Sequence, residues 1–300
     1  MSSAHRRVLA LATVVCVLVA PLLSSSLAAR AATNRTVYVT ITDDKGAPVT
    51  DLTAANFKVK EGGKDREIVK AAPATTKPHL ALMAEERLMG DSQVRLGLFE
   101  FVKRMNNLAE MSLIGIGLRN TSITPFVTDV NVVLKAINEL TLNPQPTSNL
   151  TEGINDQAKL FEQQKMDRPV MVVVGFAGGQ AGGASASSVL TQLRQSGAVL
   201  YVVTFAPPTT NNSNNLSTMG EESGREQVLG DGSKQSGGKR FDAVTTSAIP
   251  KALQQVADDL AAQYEISYSL PDGVKLDRRF TLTVDRKGLT VRAPAGLPDK

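Results

Sequence analysis

The feature that most constrains the fold is a repeated alternation of apolar, strand-like runs with amphipathic helical segments, which begins at Pro78. Residues 169–174 are the most apolar β-branched run and are typical of a central strand buried on both faces. Residues 80–83, 111–117 and Val199–Phe205 are similar runs, and apolar residues recur at helical spacing between them. Alternation over about 190 residues predicts an α/β domain with a mostly parallel sheet and helices on both faces.

Three further features accompany this alternation: a β-module before it, an antiparallel end and a long loop. Short alternating runs predict a small β-module over residues 33–72, which is expected to pack against the α/β domain. The α/β domain takes residues 73–206 and 240–294, and its antiparallel end is expected to form a hairpin from residues 280–284 and 289–292. Residues 207–239 are rich in Asn, Ser and Gly with few apolar side chains, which predicts a flexible surface loop.

The first 32 residues have the layout of a secretory signal peptide. Arg6 and Arg7 precede an almost uninterrupted apolar run, and small and polar residues follow it. The apolar run contains Pro21 and is short for a membrane span, so we expect cleavage near Ala31 and no stable membrane span afterwards. The expected location is therefore secreted or periplasmic.

Cleavage would also change the charge and the chemistry available. The whole chain carries 33 Lys and Arg against 29 Asp and Glu. The signal segment holds three of the arginines and no acidic residue, which leaves a nearly neutral mature chain and no reason to expect nucleic acid as a partner. The mature chain keeps one histidine, His79, and no cysteine. A His-rich zinc site is therefore excluded, and a Ser-His-Asp triad would have to use His79.

Two segments could carry chemistry. Residues 175–183 are glycine-rich and lie between a strand and a helix, but neither dinucleotide-binding nor P-loop spacing is present, which favours a flexible turn. Glu85 and Glu86 follow the strand at 80–83, at the sheet edge where open parallel sheets bind ligands. Adjacent carboxylates in a loop usually point apart, which favours a solvated pair. No residue is assigned a catalytic role.

Three segments, in this order and spacing, carry a family resemblance. They are residues 37–63, residues 125–129 (Pro-Phe-Val-Thr-Asp) and residues 249–268, which end in Gln-Tyr-Glu-Ile-Ser-Tyr. Together they resemble the bacterial von Willebrand factor A-related family of exported proteins. The resemblance implies a Rossmann-like, mostly parallel sheet with helices on both faces, preceded by a small β-module and ended by antiparallel strands.

Domains of that family commonly bind Mg²⁺ or Mn²⁺ at a metal-ion-dependent adhesion site (MIDAS). The site takes Asp-x-Ser-x-Ser after the first strand, a Thr from a second loop and an Asp after the central strand. Matching Met89 to the methionine that usually follows the motif places these positions at Ala84, Glu86, Leu88, Ser148 (or Thr151) and Phe176. Alanine, leucine and phenylalanine side chains cannot ligate a hard cation. The resemblance therefore implies a degenerate MIDAS, and no Mg²⁺ or Mn²⁺ cofactor is expected.

The expected function is that of an exported, non-enzymatic protein that makes metal-independent protein–protein or surface contacts. Its partner is expected to be a protein or an envelope surface. One alternative is an enzyme or small-molecule binder that uses residues 175–183 with Glu85 and Glu86, and another is a structural envelope component. The candidate contact residues at the sheet edge are Glu85, Glu86, Arg87, Ser148 and Phe176.

Overall fold

The computed structural model describes residues 33–140, 148–179, 183–206, 216–271 and 273–298. The strands of these residues are β1 (Thr33–Thr42), β2 (Phe57–Glu61), β3 (Lys64–Arg66), β4 (Ile68–Pro73), β5 (His79–Glu85), β6 (Glu110–Ile116), β7 (Thr121–Val127), β8 (Pro169–Phe176), β9 (Val199–Phe205), β10 (Arg240–Ala243), β11 (Tyr264–Leu270), β12 (Phe280–Val284) and β13 (Thr290–Arg292). The helices are α1 (Ser92–Arg104), α2 (Val130–Glu139), α3 (Leu150–Gln163), α4 (Ala186–Ser196), α5 (Leu216–Gln227), α6 (Ser233–Gln235) and α7 (Ile249–Ala261).

A six-stranded sheet in the order β10-β9-β8-β5-β6-β7 forms the centre of the fold. All neighbours in it run parallel except β7, which is antiparallel to β6 at one edge. Every residue of β8 except the last is buried, as expected for a central strand covered on both faces. The parallel strands therefore bring their carboxyl ends to one edge of the sheet.

Helices cover both faces of this sheet, because alternate strand residues are apolar on each side. Side chains of α1, α2 and α7 share one core cluster with β5, β8 and β9, represented by Leu98, Val133 and Leu253. Side chains of α3 and α4, such as Ile154 and Leu193, pack on the other face. The predicted mostly parallel α/β fold with helices on both faces is confirmed.

The strands at the two ends of the chain pair with each other. One sheet has the order β13-β1-β11-β4, another has the order β12-β2-β3, and a third apolar cluster lies within them. The hairpin predicted from residues 280–284 and 289–292 is wrong, because β12 pairs with β2 and β13 with β1. A few short N-terminal strands bury little by themselves, and the C-terminal strands complete their sheets.

The prediction of a flexible surface loop over residues 207–239 is wrong for residues 216–235. This part forms α5, a π-helical turn at Val228–Gly232 and α6. The segment has few apolar residues, which predicted a loop, but a short helix needs only a few buried residues to dock. The buried residues of this part include Arg225, Val228 and Leu229. Residues 207–215 lie outside the described residues.

Residues 1–32, where the signal peptide is expected, also lie outside the described residues. Within the described ranges, no helix combines the length and apolar character that crossing a bilayer requires.

Candidate functional site

Three of the predicted positions meet at the carboxyl edge of the central sheet. Glu85 ends β5, Phe176 ends the adjacent parallel strand β8, and Ser148 lies just before α3. The Glu85 carboxylate accepts hydrogen bonds from the Ser148 hydroxyl and from the backbone N–H of Phe176. Only 3% of the Glu85 surface is exposed, so the expectation of a solvated pair is wrong for this residue. Its carboxylate belongs to the interior of the site.

A buried arginine from α5 completes this cluster. Arg225 Nη2 donates to Glu85 Oε2 at 2.9 Å and to the Phe176 carbonyl oxygen at 2.8 Å. Its Nη1 donates to Ser148 Oγ at 3.2 Å. Arg225 is 1% exposed and ranks among the largest fully buried side chains. The guanidinium therefore joins the ends of β5 and β8 and the start of α3 from inside the protein.

Burial of this ion pair is tolerable only because its hydrogen-bonding groups are largely satisfied. Charges that leave water lose several kcal/mol of hydration each, and close opposite charges with further hydrogen bonds offset that cost. Glu85 receives three donors, and Arg225 Nη1 and Nη2 both have acceptors. Only Arg225 Nε has no partner in the part of the chain that the structure describes. Removing either charged side chain would leave the other one buried and unpaired.

Arg225 is the site residue that sequence analysis missed. It lay in a segment whose Asn, Ser and Gly content predicted a loop. The available signal was the spacing of Arg225, Val228 and Leu229, which places them on one helix face. This spacing was thus the only indication of the ion pair in the sequence.

Glycines leave room for both carboxylates at this edge. A Cβ atom on Gly175 would lie 2.6 Å from Glu85 Oε2, and one on Gly117 would lie 2.7 Å from Glu86 Oε2. A Cβ on Gly115 would lie 3.0 Å from Glu86 Oε1. Contacts below 3.0 Å require an atom to move, so alanine does not fit at Gly175 or Gly117 without a shift. The first glycine of the 175–183 segment therefore accommodates a carboxylate of the chain itself, while residues 180–182 lie outside the described residues.

The other predicted positions differ from one another in burial. Ala84 and Leu88 are buried in the core between the sheet and α1. Glu86 is half-buried beside the end of β6. Arg87 is exposed, and its guanidinium carbon lies 4.7 Å from the centroid of the Phe176 ring. Of the five candidate contact residues, Glu86, Arg87 and Phe176 reach the surface, whereas Glu85 and Ser148 do not.

His79 lies at the opposite end of the same strand from Glu85. Its Nδ1 is 2.8 Å from the backbone oxygen of Asp167, and its Nε2 is 3.4 Å from a Glu110 carboxylate oxygen. This amino-end position separates the histidine from the carboxyl edge by the length of β5, so His79 cannot act together with the side chains gathered there.

The residues of this edge do not fit a hard divalent cation. Mg²⁺ requires near-octahedral oxygen ligands. The Glu86 carboxylate lies beside Gly115 and Gly117, and the oxygen donors gathered at the end of β8 are those of Glu85 and Ser148. Both already contact the Arg225 guanidinium, whose positive charge would repel a second cation. Ala84, Leu88 and Phe176 supply no side-chain oxygen. Among the described residues there is also no group of three or more His, Cys, Asp or Glu placed to hold a metal.

Apolar side chains border the ion pair along the same edge. Leu118 follows β6 and is 54% exposed, and Val244 follows β10 and is 74% exposed. Between them, the rings of Phe176 and Phe205 lie 5.9 Å apart at the ends of β8 and β9, both partly exposed. The sheet order places these residues in one row across the carboxyl edge.

Comparisons with known proteins identify structures with a similar fold. No family model matches the sequence, and no curated protein matches it. Among solved structures, proximal thread matrix protein 1 from the mussel byssus, with a zinc-occupied MIDAS motif, matches with a TM-score of 0.50 at 13% identity. The match covers 67% of this chain and 50% of the mussel protein, so the shared region spans half of that protein's length.

Two bacterial structures are also similar. A von Willebrand factor type A protein from Catenulispora acidiphila matches at 7% identity and a TM-score of 0.46, over 91% of this chain and 75% of that one. BatB from Bacteroides thetaiotaomicron matches at 11% identity and a TM-score of 0.43, over 61% of this chain and 98% of that one. The sheet order, the helices on both faces and the match to the mussel structure agree: the chain has the fold of a von Willebrand factor A-type domain.

Proposed function

We propose that this chain is an exported, non-enzymatic interaction domain that contacts a protein or envelope surface through the carboxyl edge of its central sheet, without a metal ion. The observation that carries the proposal is the buried Arg225–Glu85 ion pair at 2.9 Å, which contacts Ser148 and Phe176, two of the positions that the family resemblance assigns to the MIDAS. The guanidinium supplies a fixed internal positive charge at that place. A von Willebrand factor A-type edge of this kind is held in shape by its own chain.

The mussel structure with a zinc-occupied MIDAS motif offers a comparison for this proposal. A metal in such a site keeps an open coordination position for a partner's carboxylate, as the family resemblance implies. Here both Arg225 and Glu85 are buried and engaged, so a partner has no access to the charge. Binding must therefore use the side chains that surround the pair on the surface.

The surface around the pair has the composition of a contact site. Exposed Leu118 and Val244 and partly exposed Phe176 supply apolar area, and Arg87 and Glu86 supply charge beside it. Protein interfaces combine an apolar, aromatic centre with arginine and a polar rim. This row of side chains therefore supports a protein or surface partner.

The same geometry argues against an enzyme at this edge. A general base needs a carboxylate that can reach a substrate proton. The Glu85 carboxylate is 3% exposed and accepts hydrogen bonds from Ser148, Phe176 and Arg225. Glu86, beside Gly117, and Glu152, beside Gly183, are further carboxylates near this edge, and they lie against different loops.

Calorimetric titration tests the metal-free part of the proposal. Titration of the purified chain with Mg²⁺ and with Mn²⁺ is expected to give no saturable heat, and a chelator is expected to leave the melting temperature unchanged. Tight binding of either ion that the Glu86→Ala substitution abolishes would contradict the proposal.

Site-specific photo-crosslinking tests the contact surface. A photoreactive residue replaces either Leu118, 54% exposed at the carboxyl edge, or Leu108, 46% exposed beyond α1 near the amino end of β6. In the native envelope, we expect a discrete cross-linked partner from position 118 and none from position 108. Arg87→Glu should weaken the product at position 118. Equal products from both positions would argue against a specific surface at the carboxyl edge.

Export is tested independently. Fractionation followed by sequencing of the mature N-terminus should place the protein outside the cytoplasm with a start near residue 32. A mature protein that retains residues 1–31 in the cytoplasm would overturn this part alone.

A further inference from the structure

A cavity of about 450 Å³ lies at the amino end of the central sheet, on the opposite side of the molecule from the ion pair. The starts of β8 and β9, the end of α4, part of β1 and the segment 294–298 line it. This size lies within the range of sites that bind small organic molecules. It is therefore large enough for a small organic molecule.

The walls of the cavity divide into an apolar and a cationic part. Arginines line the cationic part, with Asp167 as the only acidic residue among the lining residues. These arginines are Arg168, Arg194, Arg278 and Arg279. Apolar side chains from α4, β1, β9 and the C-terminal segment line the rest: Leu190, Leu193, Val37, Val199 and Leu297. An occupant thus meets hydrocarbon on one side and positive charge on the other.

Two of the arginines are already committed to the chain. Arg168 donates to the carbonyl oxygens of Thr76 at 2.6 Å and Leu260 at 2.8 Å, and it lies over the ring of Tyr38. Arg279 pairs with the Asp277 carboxylate at 2.9 Å. Their charges hold local structure and are not available in full to a ligand.

Arg194 differs from them. It lies in the last turn of α4 and is half-buried, and a side chain on Gly296 would come within 3.2 Å of its Cδ, so its stem packs against this glycine. Its Nε is buried without a hydrogen-bond partner among the described residues, as is Arg168 Nε, but unlike Arg168 and Arg279 its guanidinium makes no other hydrogen bond or ion pair with a described residue. A buried N–H without a partner costs free energy that a bound acceptor would recover. Arg194 is therefore the group through which a ligand would gain most.

We propose that this cavity binds a small amphiphilic carboxylate, with the carboxylate paired to Arg194 and the apolar body against Leu190, Leu193 and Val199. Arginine pairs with a carboxylate through two parallel hydrogen bonds, which fixes the orientation of the head group. Burial of the hydrocarbon against the apolar wall supplies the remaining affinity. A medium-chain fatty acid combines both features. This site is independent of the interaction surface at the carboxyl edge.

Calorimetry with three probes of defined chemistry tests the proposal on the purified chain. Decanoate should bind saturably, 1-decanol should bind at least about tenfold more weakly because its head is neutral, and acetate should not bind measurably. Arg194→Gln should weaken decanoate at least about tenfold, and Arg194→Lys should retain more of the affinity because it keeps the charge. Leu190→Trp should also weaken it, because the larger ring fills the cavity.

Arg119→Gln is the matched control, because Arg119 is exposed in the turn after β6 at the other end of the sheet. It should leave decanoate binding unchanged, and far-ultraviolet circular dichroism should show all four variants folded. No saturable binding of decanoate, equal affinity for decanoate and 1-decanol, or an unchanged affinity in Arg194→Gln would each overturn the proposal.

Discussion

The two ends of the central sheet each place an arginine against the sheet, and they treat its charge in opposite ways. At the carboxyl end, Arg225 is fully buried and bonded to Glu85, Ser148 and the Phe176 carbonyl. At the amino end, Arg194 is half-buried beside a cavity and no described residue pairs with it. A satisfied charge holds structure, whereas an unsatisfied one is free to hold a ligand. The same residue type thus indicates opposite roles at the two ends.

The largest expected effect breaks the satisfied end. Arg225→Ala should destabilise the chain by about 3–5 kcal/mol, because it leaves the Glu85 carboxylate buried without its counter-charge. Urea unfolding measures the free energy. Arg225→Met, Glu85→Gln and their combination are the control set, and the double variant should lose much less than the sum of the two single variants because neither charge remains. A loss in the double variant equal to the sum of the two single ones would show that the residues do not act as a pair.

The next effect tests the space around the same carboxylate. Gly175→Ala should cost about 1–3 kcal/mol, since its Cβ would lie 2.6 Å from Glu85 Oε2 and force the ion pair to shift. Gly178→Ala is the matched control from the same glycine-rich segment, because nothing lies within 4 Å of a Cβ there. It should change stability by less than about 0.5 kcal/mol. Thermal and urea unfolding of both variants decide the point, and equal losses would mean that the loop backbone matters rather than Glu85.

Asp259 provides a separate test, because it is a buried carboxylate that is paired with an arginine. Asp259 of α7 pairs with Arg292 of β13 at 2.7 Å, and burial raises the pKa of Asp259 despite the opposing effect of Arg292. The folded chain therefore keeps the Asp259 proton to a higher pH than the unfolded chain does. Its contribution to stability should fall as pH rises above about 4, the ordinary value for aspartate, and level off above the raised pKa.

Asp259→Asn removes this titration. Relative to that variant, the unsubstituted chain should lose unfolding free energy as pH rises through the window, and urea unfolding at a series of pH values measures the difference. A difference that stays constant, or that grows in favour of the unsubstituted chain, would contradict a raised pKa.

The smallest effect concerns the unsatisfied end. Arg194→Gln should change the free energy of unfolding by less than about 0.5 kcal/mol in the absence of ligand, because no described residue loses an ion pair. Urea unfolding in parallel with Arg225→Ala gives the comparison directly. A loss at Arg194 as large as that at Arg225 would show that the cavity arginine is structural and would remove the difference between the two ends.

Much of the fold could be predicted from local sequence patterns. The apolar run at 169–174 is part of β8, residues 199–205 form β9, and the alternation of strands and helices gives the mostly parallel sheet. Such runs are readable because burial on both faces demands apolar residues at every position. Pairing partners were less readable, since the pattern of β12 and β13 suits a local hairpin as well as it suits two distant strands.

The candidate site was readable in part. Glu85, Ser148 and Phe176 were placed at the carboxyl edge from strand ends and the family resemblance, and the structure joins them by hydrogen bonds. The burial of Glu85 and the entry of Arg225 were not readable. They depend on the docking of α5, which lies far along the chain from β5 and has little apolar character of its own.

The sequence alone therefore determined the class of the fold and the edge at which a site would form, because hydrophobic periodicity sets strand and helix identity and parallel strands share one carboxyl edge. Only the tertiary structure decided whether the arginine at each end of the sheet is paired with a carboxylate. Whether an arginine meets a carboxylate or an apolar cavity depends on residues 140 positions apart for Arg225 and Glu85. No local pattern records such a contact, since it arises only when separate elements pack together.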